Sequence, residues 1–152
     1  MRKAYRILAD LIAIGVAVQS MAIVWAIAGL FAWIDDGGTI SKRVLDSWDD
    51  NPPDFQGAAG FAIHGIVGMM VIPVLGLALL ALAFFAGVPG GVKWAGIVAI
   101  SIIVQVAAGM AGEDAPWLGL VHGLNAFALF AAALFAARAA HPVTQDPVLE
   151  AP

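Results

Sequence analysis

The chain has 152 residues, 62% of them hydrophobic and 12% charged, with a mean hydropathy of +0.93 and a formal net charge of −4. A soluble domain carries about 25% charged residues, and a chain this short and this apolar cannot hide its surface from water, so lipid must be its solvent. The acidic balance and the absence of a basic stripe argue against nucleic acid, while the absence of cysteine excludes disulfides, cysteine-held iron–sulfur clusters and thioether-linked haem.

A spanning helix needs roughly 20 apolar residues, and four segments meet or approach that length: 7–33, 58–86, 94–112 and 117–137. The first follows Arg2, Lys3 and Arg6, as a signal peptide would, but it far exceeds a signal core of about 7–15 residues. It is read as a retained helix, with Asp10 one turn from Arg6 where headgroups solvate both. Residues 35–56 form a long acidic loop punctuated by Pro and Gly. Within it, 39–48 predicts a short interfacial helix with Ile40, Val44 and Trp48 on one face. The second spanning segment contains Pro73, which removes a backbone hydrogen bond and should kink the helix. Tight turns at 87–91 and 113–116 flank the third. The expected architecture is all-α: one four-helix up-down membrane bundle over 1–140, then a flexible tail over 141–152, whose three prolines disfavour order.

Lys and Arg orient such a bundle. Arg2, Lys3, Arg6, Lys93 and Arg138 share the side of the termini. The other side has Lys42 and Arg43 in a loop dominated by Asp35, Asp36, Asp46, Asp49, Asp50 and Asp54, with Glu113 and Asp114 beside it. Both termini are therefore expected in the cytoplasm.

This orientation gives two histidines a meaning. His64 and His122 fall about six and five residues into the second and fourth helices, which both run inward. At about 1.5 Å rise per residue each lies roughly 8–9 Å below the outer boundary. In an up-down bundle these helices are diagonal, so both side chains can point at the axis. Each histidine precedes a glycine, Gly65 and Gly123, and small residues flank each along its own face: Gly60 and Gly68 around His64, Gly119 and Ala126 around His122. Missing side chains beside paired imidazoles suit a flat macrocycle, and two axial nitrogens suit an iron that only shuttles electrons. Ionisable residues inside a membrane mark functional sites by default. Interhelical hydrogen bonding, another metal and a proton relay are the competing readings. Met69, Met70 and Met110 would suit copper but are read as packing, and His141 as a surface residue.

The halves look alike. Gln19 and Gln105 sit at similar depths in the first and third helices, and each half then continues into a helix bearing His-Gly. That is the pattern of a parallel repeat about a pseudo-twofold axis along the membrane normal. The glutamines are expected to be interhelical glue, with a polar contact below the macrocycle or a proton path as the alternative. Asn125, one turn inward from His122, is expected to bond a backbone carbonyl or a histidine nitrogen on another helix. Trp33, Trp94 and Trp117 mark the membrane boundaries, and Trp25 is left between lipid, core and a haem edge.

The segments Phe61-Ala-Ile-His64-Gly65 and Leu118-Gly-Leu-Val-His122-Gly-Leu-Asn125-Ala resemble a family of small four-helix bacterial membrane proteins. In arrangement the chain is also similar to one half of haem A synthase, and in principle to di-histidine b-type cytochromes. The resemblance implies a bacterial cytoplasmic (inner) membrane location and one haem b whose iron takes His64 and His122 as metal ligands. Gly60, Gly65, Gly68, Gly119, Gly123 and Asn125 surround that expected cofactor site. The glutamate that serves the chemistry of haem A synthase has no intramembrane counterpart here, which argues against haem modification.

The expected function is electron transfer by a membrane b-type cytochrome, with quinol and an outer-face partner as candidate reaction partners. Two alternatives stand beside it: an accessory subunit packed among other subunits of a larger membrane (respiratory) complex, and haem handling or sensing. Whether the chain is an enzyme is left open.

Overall fold

The computed structural model describes residues 1–48 and 50–141. The expected tail lies outside these residues except for His141, which is exposed. Among the described residues there is no strand. The described residues form five helices: α1 (Arg2–Asp35), the short α2 (Lys42–Asp46), α3 (Ala59–Ala83), α4 (Gly91–Met110) and α5 (Leu118–Ala139). All but α2 are long and apolar enough to cross a membrane. The chain is thus a multi-pass membrane protein built as an up-down bundle. α1 and α4 each pack on both α3 and α5, leaving α3 and α5 diagonal to one another.

The helix ends shift from the expected ones for local reasons. α1 begins five residues early because tertiary bonds hold its first turns. Tyr5 is fully buried and donates its hydroxyl to the Gly91 carbonyl at 2.8 Å, and Arg2 Nη2 donates to the Gly87 carbonyl at 2.6 Å. α3 stops early, and the chain turns through Gly87 and Gly90, both at positive φ (61° and 68°), where a side chain would be strained. α2 falls within the expected short helix and is capped by the Ser41 hydroxyl, which accepts from the Val44 N–H at 3.4 Å. Val44 and Trp48 are half-buried, whereas Ile40 is exposed.

Pro73 acts through a change of helix type. Over Val67–Val71 the α3 ladder widens to π spacing, with the Ile72 N–H bonded to the Val67 carbonyl five residues back. A proline lacks the donor for the normal bond and presses its ring on the carbonyl four residues earlier. A π turn relieves both, and such turns recur at functional sites. The widened turn also phases the helix. Residues spaced by four drift by about 40° per step in an ideal α-helix, yet Gly60, Ile72 and Gly76 of α3 are all buried.

The core is one-sided along the bundle axis. Its cluster runs from the end bearing the start of α1 and the end of α5 to the middle, through Tyr5, Ile12, Val16, Ile72, Leu79, Val98, Ile102 and Leu129. Toward the end bearing the acidic loop, Gln19, Ala22 and Ala26 of α1 are buried with Gly60 of α3, and α5 buries nothing before Leu129. The pairs α1–α3 and α4–α5 therefore each pack internally there. Among the described residues, the buried Ala22, Ala26 and Ala108 at this level lie outside the core cluster.

Candidate functional site

His64 and His122 occupy that loop-end half of the bundle. Both are half-buried, and their ring centroids lie 6.0 Å apart with the planes inclined by 53°. The shared depth and diagonal facing expected of them are what this geometry contains.

Each ring is held by a neighbouring helix. His64 Nδ1 lies 3.2 Å from the Gln19 carbonyl of α1, and His122 Nδ1 lies 3.0 Å from the Gln105 carbonyl of α4. A carbonyl only accepts, so Nδ1 of each neutral ring must carry the proton. The Nε2 lone pairs are then free, and among the described residues neither Nε2 is hydrogen-bonded. This is the second-sphere device by which proteins present imidazoles to metals. The bond recurs in both halves between equivalent positions, so the two helical hairpins share a local structure as well as a pattern.

The glutamine side chains diverge. Asn125 Nδ2 donates to Gln105 Oε1 at 2.7 Å and to the Ser101 carbonyl at 2.8 Å, so Asn125 bonds α4 and no histidine. The glue expected of Gln105 is present. Gln19 is buried at 9% exposure, yet its Nε2 has no partner. The residue equivalent to Asn125, three after His64, is Val67, which offers nothing.

The glycines divide into two kinds. At Gly65, Gly119 and Gly123 an added Cβ would meet nothing within 4 Å. Gly119 and Gly123 are exposed, Gly123 beside the outward-facing Leu120, Leu124 and Phe127, so the space there is the outer face of α5, while Gly65 is half-buried. At Gly60 a Cβ would run into the Ala22 carbonyl, and at Gly68 it would lie 3.1 Å from Gln19 Oε1. The space expected at these two positions is taken by α1, whose close approach they permit. Gly109, not singled out from sequence, lies against the His122 ring: a Cβ there would be 3.0 Å from Nδ1. Nothing in its sequence context marks it, because the contact exists only once α4 and α5 pack.

Other polar and aromatic groups are peripheral. Met69 and Met110 are exposed and line an open groove of about 440 Å³ between α3 and α4, and Met70 is exposed as well. A second groove of about 500 Å³ runs along α4 and α5 beside Asn125. Trp25 is 47% exposed and its indole backs onto Gly57. Trp48 stands edge-on to Phe61, one turn before His64, and packs with Phe55, which stacks on Trp33.

Among the described residues no group of three His, Asp or Glu side chains is placed to hold a metal ion. Zinc sites take three or four protein ligands, so the pair alone does not build one. Two free imidazole nitrogens can complete a metal that arrives with its other ligands already bound. No protein-family model, curated protein or solved structure matches the chain.

Proposed function

We propose that this chain is a membrane b-type cytochrome in which His64 and His122 hold one haem b, and that it transfers electrons within the membrane. The observation that carries the reading is the facing pair of imidazoles, each with Nδ1 committed to a carbonyl and Nε2 free, 6.0 Å between centroids. Two imidazoles bound on opposite sides of one metal, at about 2.0–2.1 Å each, bring their centroids to roughly that separation. Haem iron carries four ring nitrogens of its own and asks the protein only for axial ligands, which is the donor number available here. The open space beside the half-buried Gly65 and the absence of buried α5 residues before Leu129 are compatible with a flat group.

When bound, the haem supplies a one-electron couple. The chain's residues do the rest. The Gln19 and Gln105 carbonyls fix the ring orientations and make each imidazole more electron-rich. The apolar walls of the half-bundle keep the environment dry, and the aromatic group of Trp33, Trp48, Phe55 and Phe61 covers the loop end of α1 and α3. Within this reading the termini and Lys93 face the cytoplasm, the acidic loop faces outward, and the membrane is a bacterial inner membrane. Quinol is the reductant of choice for a donor soluble in the same bilayer.

The test is the absorption spectrum of the purified protein, oxidised and reduced. A b-type spectrum is expected, altered in His64→Ala and lost or altered in His122→Ala. Colourless, folded wild-type protein from haem-replete cells would overturn the proposal.

A further inference from the structure

The repeat is matched at the histidines and mismatched around them. His122 is constrained on three sides. Its Nδ1 bond is 3.0 Å, Gly109 lies against the ring, and the Gln105 that accepts that bond is tied by Asn125, which also bonds Ser101. Its helix α5 runs without interruption from Leu118 to Ala139. His64 has less holding it. Its Nδ1 contact is longer, 3.2 Å, and the residue equivalent to Gly109, four after Gln19, is Ile23. The α3 ladder opens into its π turn three residues beyond His64. Small register shifts of a helix are among the ways such elements switch, and a π turn next to a ligand gives α3 a place to absorb one.

The same side carries an unused donor. Gln19 is more than nine-tenths buried, its Nε2 has no partner, and its carboxamide lies against Gly68, one turn along α3 from His64. A buried amide without a partner is costly to keep, because it has given up water and gained nothing in return. In the other half Gln105 is only half-buried and its Oε1 accepts from Asn125, so a fully buried donor without a partner occurs on the His64 side alone among the described residues.

We infer that the two ligands are functionally unequal: His122 is the fixed axial ligand, and His64 is the exchangeable one that yields its place to a small neutral diatomic molecule, with Gln19 Nε2 as the hydrogen-bond donor to it. The inference rests on the haem reading above. In the exchange His64 would give up its bond through Nε2 and the diatomic's own lone pair would take that place on ferrous iron. No electron is transferred, and the released imidazole keeps its lone pair and its Nδ1 proton.

Carbon monoxide is the probe, added to the full-length protein reduced with dithionite in detergent. The wild type is expected to change from a low-spin six-coordinate spectrum to a carbonyl spectrum as carbon monoxide is titrated. His64→Ala is expected to retain haem and to bind carbon monoxide at least about tenfold more tightly, because no ligand competes. His122→Ala is expected to lose haem affinity. Gln19→Leu, which removes only the donor, is expected to raise the C–O stretching frequency and to speed dissociation about two- to tenfold, the range that loss of one hydrogen bond spans. A b-type spectrum unmoved by saturating carbon monoxide overturns the inference and leaves the haem reading standing. Retention of haem by His122→Ala but not His64→Ala reverses the assignment and overturns it. An unchanged stretch and rate in Gln19→Leu overturns the role of Gln19. A colourless wild-type protein overturns the haem reading itself.

Discussion

At the scale of single residues, the polar groups inside this bundle each close a specific contact between helices. Tyr5 is the clearest case outside the histidine site. Its ring is fully buried and its hydroxyl reaches the first residue of α4. Tyr5→Phe removes the bond and leaves the ring, so the expected loss is about 1 kcal/mol of stability. Tyr5→Ala also empties the space, and about 3–5 kcal/mol is expected, the range for truncating a large buried aromatic. Denaturant titration of both variants in micelles separates the two contributions. Equal losses would mean that the hydroxyl, not the ring, anchors the start of α1.

At the scale of elements, the close pairing of α1 with α3 rests on glycine. Gly60 leaves room for the Ala22 carbonyl, and a backbone group cannot rotate away as a side chain can. Gly60→Ala should therefore push α3 off α1 at a cost of about 1–3 kcal/mol, the range for overpacking a well-fitted seam. It should also lengthen the nearby His64–Gln19 contact. Gly65→Ala, five residues on, meets nothing and should change stability by no more than about 0.5 kcal/mol. Unfolding of the pair in one detergent checks this, and a Gly65→Ala loss as large as that of Gly60→Ala would contradict it.

The contrast also marks how far the sequence could be read. Hydrophobic length located four spans, and counting residues from the loop ends placed His64 and His122 at one level, because both quantities depend only on position along a regular helix. Which glycines face a neighbour and which face open space depends on helix rotation. For α3 that rotation is altered by a π turn whose existence Pro73 hints at but does not specify. The partners of Gln19 and Gln105 were hidden for the same reason: the atoms that meet the imidazoles are backbone carbonyls, which every residue carries.

At the scale of the whole molecule, the two ends differ in a way that bears on orientation. The end with the start of α1 and the end of α5 is the filled end. It joins the core to a set of interfacial contacts in which Trp94 stacks on Phe135 at 5.0 Å, Lys93 lies over Trp94 and Arg138 over Phe135. Five of the seven basic residues, Arg2, Lys3, Arg6, Lys93 and Arg138, lie there, and the acidic loop occupies the opposite end. Basic residues near spans stay in the cytoplasm, so the half-filled end that carries the histidines should face outward. The chain has no cysteine, so a single introduced thiol reports its own location without background. Thr39→Cys in the loop and His141→Cys after α5 both replace exposed residues. In intact cells, a membrane-impermeant maleimide should label Thr39→Cys and spare His141→Cys until the membrane is opened. The reverse pattern would put the histidines on the cytoplasmic side.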